Sequence, residues 1–190
     1  MPLLSRGAMP WRRKEKASEK LYGAIVAQAR LPVFYQEFGV PDTLEGRYLV
    51  LSLNLFAVLH RLKREGSQAQ VLSQELADRF KGDMETVLRE LGVSDLRIPK
   101  KMRALTASSA ALFQAYEQAF AAGEGTLAKT IADALPLDEG AAARAAGTRL
   151  AHYLRESARS LEKEPYAALH AGTLRFPDIS GGELRDEPRD

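Results

Sequence analysis

The stretch YLVLSLNLFAVLH, Tyr48 to His60, is broken only by Ser52 and Asn54 before its final histidine and is the most apolar part of the chain. It runs into HRLKRE after about a dozen residues, well short of the roughly 20 apolar residues that a helix needs to cross a hydrocarbon core. On a helix, Leu49, Leu53, Phe56 and Leu59 share one side, while Tyr48, Leu51, Leu55, Val58 and Leu62 cover much of the rest. A helix with so little polar surface must be wrapped by others. The run therefore predicts the central helix of a soluble helical core.

The remaining segments repeat apolar residues at helical spacing, and alternating β-branched runs are missing. A first helix is expected from an N-cap at Ser18, with Leu21, Tyr22, Ile25, Val26, Ala29 and Val33 on one face and Pro32 ending or kinking it. In FGVPDTLEGR, Gly39 suits a left-handed C-terminal position, Pro41 stiffens the turn, and Asp42 with Glu45 has capping-box spacing. A third helix from about Gln70 carries Leu72, Leu76, Phe80, Met84 and Leu88 and stops at Gly92. After Pro99, Met102, Leu105, Ser109, Leu112, Phe113, Tyr116 and Phe120 form the cleanest stripe, read as a packed face. Leu127, Ile131 and Leu135 mark a short helix before Pro136, and Leu150, Leu154, Ala158 and Leu161 mark a longer one. The fold class is all-α: a single-domain bundle of about six to seven helices around a buried central helix.

With 190 residues and 45% hydrophobic content, one domain is expected. Residues 18–164 form its helical body. Residues 1–17, rich in Arg and Lys, read as a basic mobile tail, and residues 165–190 as an irregular acidic one. There is no cysteine, which removes disulfides, thiolate metal sites and cysteine nucleophiles together. No apolar segment follows the early charges as in a secretory signal, so a soluble, cytoplasmic chain is expected.

Motifs for catalysis are weak. GEGTLAKT, Gly123 to Thr130, approaches a phosphate-binding loop, but YEQAFAA before it continues a helix instead of a buried strand, and Ala128 replaces the second glycine. His60, His152 and His170 are far apart and lack the glutamate spacing of two-metal bundles. His152 and Glu156 share a helix face, the spacing of an ordinary surface pair. No catalytic residue, metal or cofactor is assigned.

Two charged clusters stand out. DLRIPKKMR places Arg97, Lys100, Lys101 and Arg103 around the start of a helix, where the macrodipole disfavours cations by about 0.3–1 kcal/mol each. The pattern fits either a solvated turn with Pro99 at the first helical position or an anion-binding patch for lipid headgroups, ribosomal RNA or an acidic partner. HRLKR, in contrast, complements the C-terminal end of the central helix. In MPWRRKEK, Trp11 beside two arginines suits a membrane interface or a protein pocket.

The order LYGAIVAQARLPVFYQEFGVPDTLEGRYLVLSL, then GDMETVLRELGVSDLRIPKKMRAL and QAYEQAF, resembles the ubiquinol-cytochrome c chaperone family, in a bacterial form without the long amino-terminal extension of mitochondrial members. The resemblance rests on Gly39, Val40, Pro41, Asp42, Thr43, Gly46 and Arg47, then on Asp83, Met84, Arg89, Gly92, Val93, Pro99, Lys100 and Lys101. Most of these are expected to be structural, with Arg47 in a buried ion pair. It implies a non-enzymatic assembly factor of the respiratory cytochrome bc complex, bound to newly made cytochrome b or its membrane helices at the inner membrane. A small helical co-chaperone, the ribosome and an anionic membrane surface are further implied partners; DNA is not. Binding is assigned to Arg97, Lys100, Lys101, Arg103 and Trp11. An RNA- or ribosome-binding helical factor using the same basic patch is the competing reading.

Overall fold

The computed structural model describes residues 16–179. Among them every regular element is helical: α1 (Ala17–Ala29), α2 (Val33–Gln36), α3 (Leu44–Lys63), a 3-10 turn (Gly66–Ala69), α4 (Gln70–Glu90), α5 (Ile98–Ala122), α6 (Glu124–Ala134), α7 (Ala141–Lys163) and α8 (Tyr166–His170). α2 and α8 are single turns of four and five residues, which leaves six principal helices in the expected all-α bundle. No helix among the described residues is long and apolar enough to cross a membrane.

The apolar run occupies the centre. Leu49, Val50 and all residues from Ser52 to Val58 of α3 are buried, with α1, α4 and α7 packed around them. Its one amide is accommodated because both polar atoms of the Asn54 side chain find partners, as burial demands. Asn54 Nδ2 donates to the Val50 carbonyl at 2.9 Å, and Asn54 Oδ1 accepts from the Tyr153 hydroxyl at 2.5 Å. The same hydroxyl accepts from Gln28 Nε2 at 3.2 Å, so one buried chain of hydrogen bonds ties α1, α3 and α7.

Arg61 does more than complement the end of its own helix. It is buried, and its guanidinium donates to the carbonyls of Leu161 and Glu164 (both 2.9 Å) and to Glu65 (2.6 Å). A cation from α3 thus binds two carbonyls at the end of α7, that of Glu164 and that of Leu161, which also accepts from Glu164 N at 3.2 Å. Across the molecule, Gly147 lets α7 press onto α6: a β-carbon there would stand 2.5 Å from the Ala128 carbonyl oxygen.

Helix ends depart from expectation in two places. The N-cap of α1 is Lys16, whose backbone N–H is held by Glu19 Oε2 at 3.0 Å. Ser18 lies inside the helix, buried beside Glu75 of α4, so it cannot serve as the cap. At α3 the cap is Thr43, not Asp42: its hydroxyl accepts from Gly46 N at 3.2 Å, because the helix begins one residue later than the Asp42–Glu45 spacing requires. Gly39 takes the left-handed conformation anticipated for it (φ +84°). Gly92 (φ +78°) closes α4 with paired bonds, Gly92 N to Arg89 O at 2.9 Å and Val93 N to Leu88 O at 3.1 Å.

Residues 165–179, read from composition as irregular, contain α8 and bury Leu169 and Ile179 against the body. The stretch Gly123 to Thr130 is a helix junction followed by α6, and Lys129 pairs with Asp133 at 2.7 Å. His152 faces Glu124 of α6 at 3.8 Å, while Glu156 pairs with Arg159, one turn along its own helix. His60 bonds Glu117 of α5 at 3.1 Å. Among the described residues no acid and histidine cluster could hold a metal ion.

Candidate functional site

The apolar faces of α4 and α5 outrun the core. On α4, Leu72, Leu76 and Phe80 are buried, but Met84, Val87 and Leu88 are only half covered. On α5 the same change runs in reverse: Tyr116 and Ala119 are buried, whereas Leu112, Leu105 and Met102 are half-exposed. The stripe on α5 is therefore not the fully packed face expected of it. The two helices form an antiparallel pair whose outer halves extend beyond the layer of α1, α3 and α7, and none of the described residues fills the space beside them.

That space is a groove of about 1100 Å³. Val26 and Ala29 of α1 line one wall, Tyr35 of α2 and Leu44, Tyr48, Leu49 and Leu51 of α3 the floor, and Met84, Val87, Leu88 and Leu91 with Leu105 and Leu112 the far wall. A second cavity of about 250 Å³ lies under α5 between Leu55, Phe80, Met84, Met102, Leu105 and Phe113. Met84 and Leu105 border both spaces. The Tyr48 hydroxyl and Ser109 Oγ, 2.7 Å apart, fasten α3 to α5 close by.

Charge is confined to the rim. Arg47 Nε donates to Asp42 Oδ1 at 2.6 Å, and that bond holds the Asp42 carboxyl below the usual carboxylate range. Both side chains are exposed, so this is not the buried ion pair expected for Arg47; with Thr43 capping the helix, Asp42 is left to swing outward to the guanidinium. On the opposite rim, Asp83 accepts from the Tyr22 hydroxyl at 2.9 Å. Burial first, and then this bond and the charge of Asp83, push the Tyr22 phenol far above its ordinary value. Glu45, Glu90 and Arg30 complete the edge.

Apart from Pro99, Lys100 and Lys101 at the start of α5, the residues that carried the family resemblance divide in three. Asp42, Arg47, Asp83 and Met84 meet at the groove although they are distant in sequence. Gly39, Pro41, Thr43 and Gly46 build the turn that sets its floor. Gly46 is forced, since a β-carbon there would fall 2.0 Å from the Pro41 carbonyl oxygen. Arg89 and Gly92 hold the end of α4, where Arg89 bridges Glu85 at 2.8 Å and Asp95. The groove contacts missed from sequence are Tyr35, Val87, Leu88 and Leu105. Their helical spacing was legible, but identical spacing serves a core and a groove alike.

Arg97, Lys100, Lys101 and Arg103 lie apart from the groove on the exposed start of α5. Among the described residues their side chains make no ion pair. Trp11 lies outside the described residues.

A family model described as ubiquinol-cytochrome C chaperone matches residues 36–176. A relative from Xenopus laevis, ubiquinol-cytochrome-c reductase complex assembly factor 1, is 23% identical over 115 residues, covering 60% of this chain and 58% of that protein. The chain thus aligns with little more than half the length of that relative. The crystal structure of the Cbp3 homolog from Brucella abortus is similar with a TM-score of 0.76 at 34% identity, covering 87% of this chain and 91% of that one.

Proposed function

The chain belongs to the ubiquinol-cytochrome C chaperone family, and from that membership we propose that it is a non-catalytic assembly chaperone of the respiratory cytochrome bc complex, holding an apolar helix of newly made cytochrome b in the groove between α1, α3, α4 and α5. The observation that carries this reading is the apolar groove itself, bordered by four of the residues on which the family resemblance rests. A helix about 10 Å across has a cross-section on the order of 80 Å². The 1100 Å³ of the groove therefore takes roughly two to three turns of such a helix, or one face of a longer one.

The rim suits the same occupant. Cytoplasmic ends of membrane helices carry an excess of Lys and Arg, and Glu45, Asp83 and Glu90 at the edge offer acidic partners to them. Half-covered Met84 adds a flexible, polarizable surface that adapts to varied apolar side chains. Holding the client shields it from aggregation until later subunits cover the same surface.

A photo-crosslinking amino acid at Leu88 tests the proposal in cells that are making cytochrome b. The expected product is a crosslink to cytochrome b from Leu88 and none from Val71, which is exposed on the first turn of α4 outside the groove. Absence of the Leu88 product, or equal yield from both positions, overturns it.

A further inference from the structure

The tip of the α4–α5 pair, residues 91–97, combines features that the client groove does not require. Leu96 is 94% exposed and Leu91 58% exposed, the former being the most exposed large hydrophobic residue among those described. Beside them stand Arg97, Lys100, Lys101 and Arg103, all exposed and without an ion-pair partner among the described residues. The nearby Asp95 is bound by Arg89, which also holds Glu85; Glu90 is the other acid close by. At about 100° per residue Lys100 and Arg103 lie on the side of α5 away from Leu105 and Leu112, and Lys101 stands at the edge of that apolar stripe.

Each part of this arrangement works against the isolated protein. Cations at a helix N-terminus oppose its dipole, and a leucine held almost wholly in water forfeits its burial energy. Both costs become gains at one kind of surface. From the protruding leucines flanked by cations that have no ion-pair partner among the described residues we infer that the α4–α5 tip docks on a bilayer of anionic phospholipid. Leu96 and Leu91 enter the boundary between headgroups and acyl chains, and the four cations meet lipid phosphates. RNA would satisfy the charges but not the aliphatic tip, which carries no aromatic ring for base stacking. Because Leu91 also lines the groove, docking in this way puts the open end of the groove at headgroup level.

The test is flotation of the full chain with vesicles of phosphatidylglycerol or of phosphatidylcholine, without any client, so that its outcome is independent of the groove. The parent should bind phosphatidylglycerol, weakly at raised salt, and bind phosphatidylcholine little. Replacing both lysines (Lys100→Gln with Lys101→Gln) should lower partition by about ten- to thirty-fold, and Leu96→Ser by about tenfold, each with the parent's melting temperature retained or raised. The inference is overturned if the parent does not bind phosphatidylglycerol, or if both variants float like the parent. It is likewise overturned if the parent binds an RNA hairpin more tightly than vesicles and Leu96→Ser leaves that binding unchanged.

Discussion

A β-carbon on Gly46 would stand 2.0 Å from the carbonyl oxygen of Pro41, so the first turn of α3 and the turn before it are in direct backbone contact. This contact lets Thr43 cap the helix and frees Asp42 for Arg47. A glycine five residues after a proline thereby fixes the floor of the groove.

Gly46→Ala should destabilise the fold by about 1–3 kcal/mol, because the obstacle is backbone and cannot rotate away. Gly23→Ala is the matching control. Nothing lies within 4 Å of a β-carbon there, the residue is exposed inside α1, and a gain of about 0.4–1 kcal/mol is expected. Urea denaturation of the two variants checks both signs.

Removing the Arg61 side chain should cost more than its surface charge neighbours. Arg61→Met leaves the Glu164 carbonyl without its donor at the end of α7 and takes one of two donors from the Leu161 carbonyl, for a loss of about 2–3 kcal/mol. Arg61→Lys should recover only part of it, since one ammonium cannot copy a fork reaching three acceptors. Arg64→Met, which removes an exposed pair with Glu162, should change stability by less than about 1 kcal/mol. Chemical denaturation of the three variants separates these cases.

The buried phenols set an alkaline limit. Burial pushes Tyr116 and Tyr153 far above the ordinary tyrosine range, with the Tyr48 side chain adding to the first; Tyr22 is raised by burial and then by Asp83. Their folded values lie above their unfolded ones. The stability they contribute is therefore complete below about pH 10 and falls as pH rises further, when the unfolded chain can ionise them and the folded one cannot. Absorbance at the phenolate band should show these three of the six tyrosines ionising only together with loss of helical circular dichroism. Their independent titration in the native protein would refute the assignment.

The architecture was legible because the central run admits one solution: a helix apolar on nearly all sides and too short for a bilayer must be wrapped by its own chain. Gly39 and Gly92 could be read for the same reason, since few residues other than glycine adopt positive φ comfortably. Caps were less legible, because Ser18, Asp42 and Thr43 are all competent caps and only tertiary contacts choose among them. Asp42 and Arg47 were visible as motif residues, but their exposure was not. Hardest to see was the groove itself. Met84, Leu88, Leu105 and Leu112 continue the same periodicities as the buried Leu76 and Tyr116, and whether a stripe is covered depends on where neighbouring helices stop.

A charge placed in the groove should separate client holding from folding. Leu88→Glu puts a carboxylate on a half-covered wall, where the free protein can leave it hydrated, so the expected stability change is within about 1 kcal/mol. A bound apolar helix would bury that carboxylate, at a cost of at least a few kcal/mol unless it finds a partner. Capture of a synthetic cytochrome b membrane-helix peptide should then fall by tenfold or more, whereas Val71→Glu, outside the groove, should bind like the parent. Comparable loss in both variants would mean that the peptide adheres to exposed apolar surface in general. Unchanged capture by Leu88→Glu would mean that the client lies on another face of the molecule.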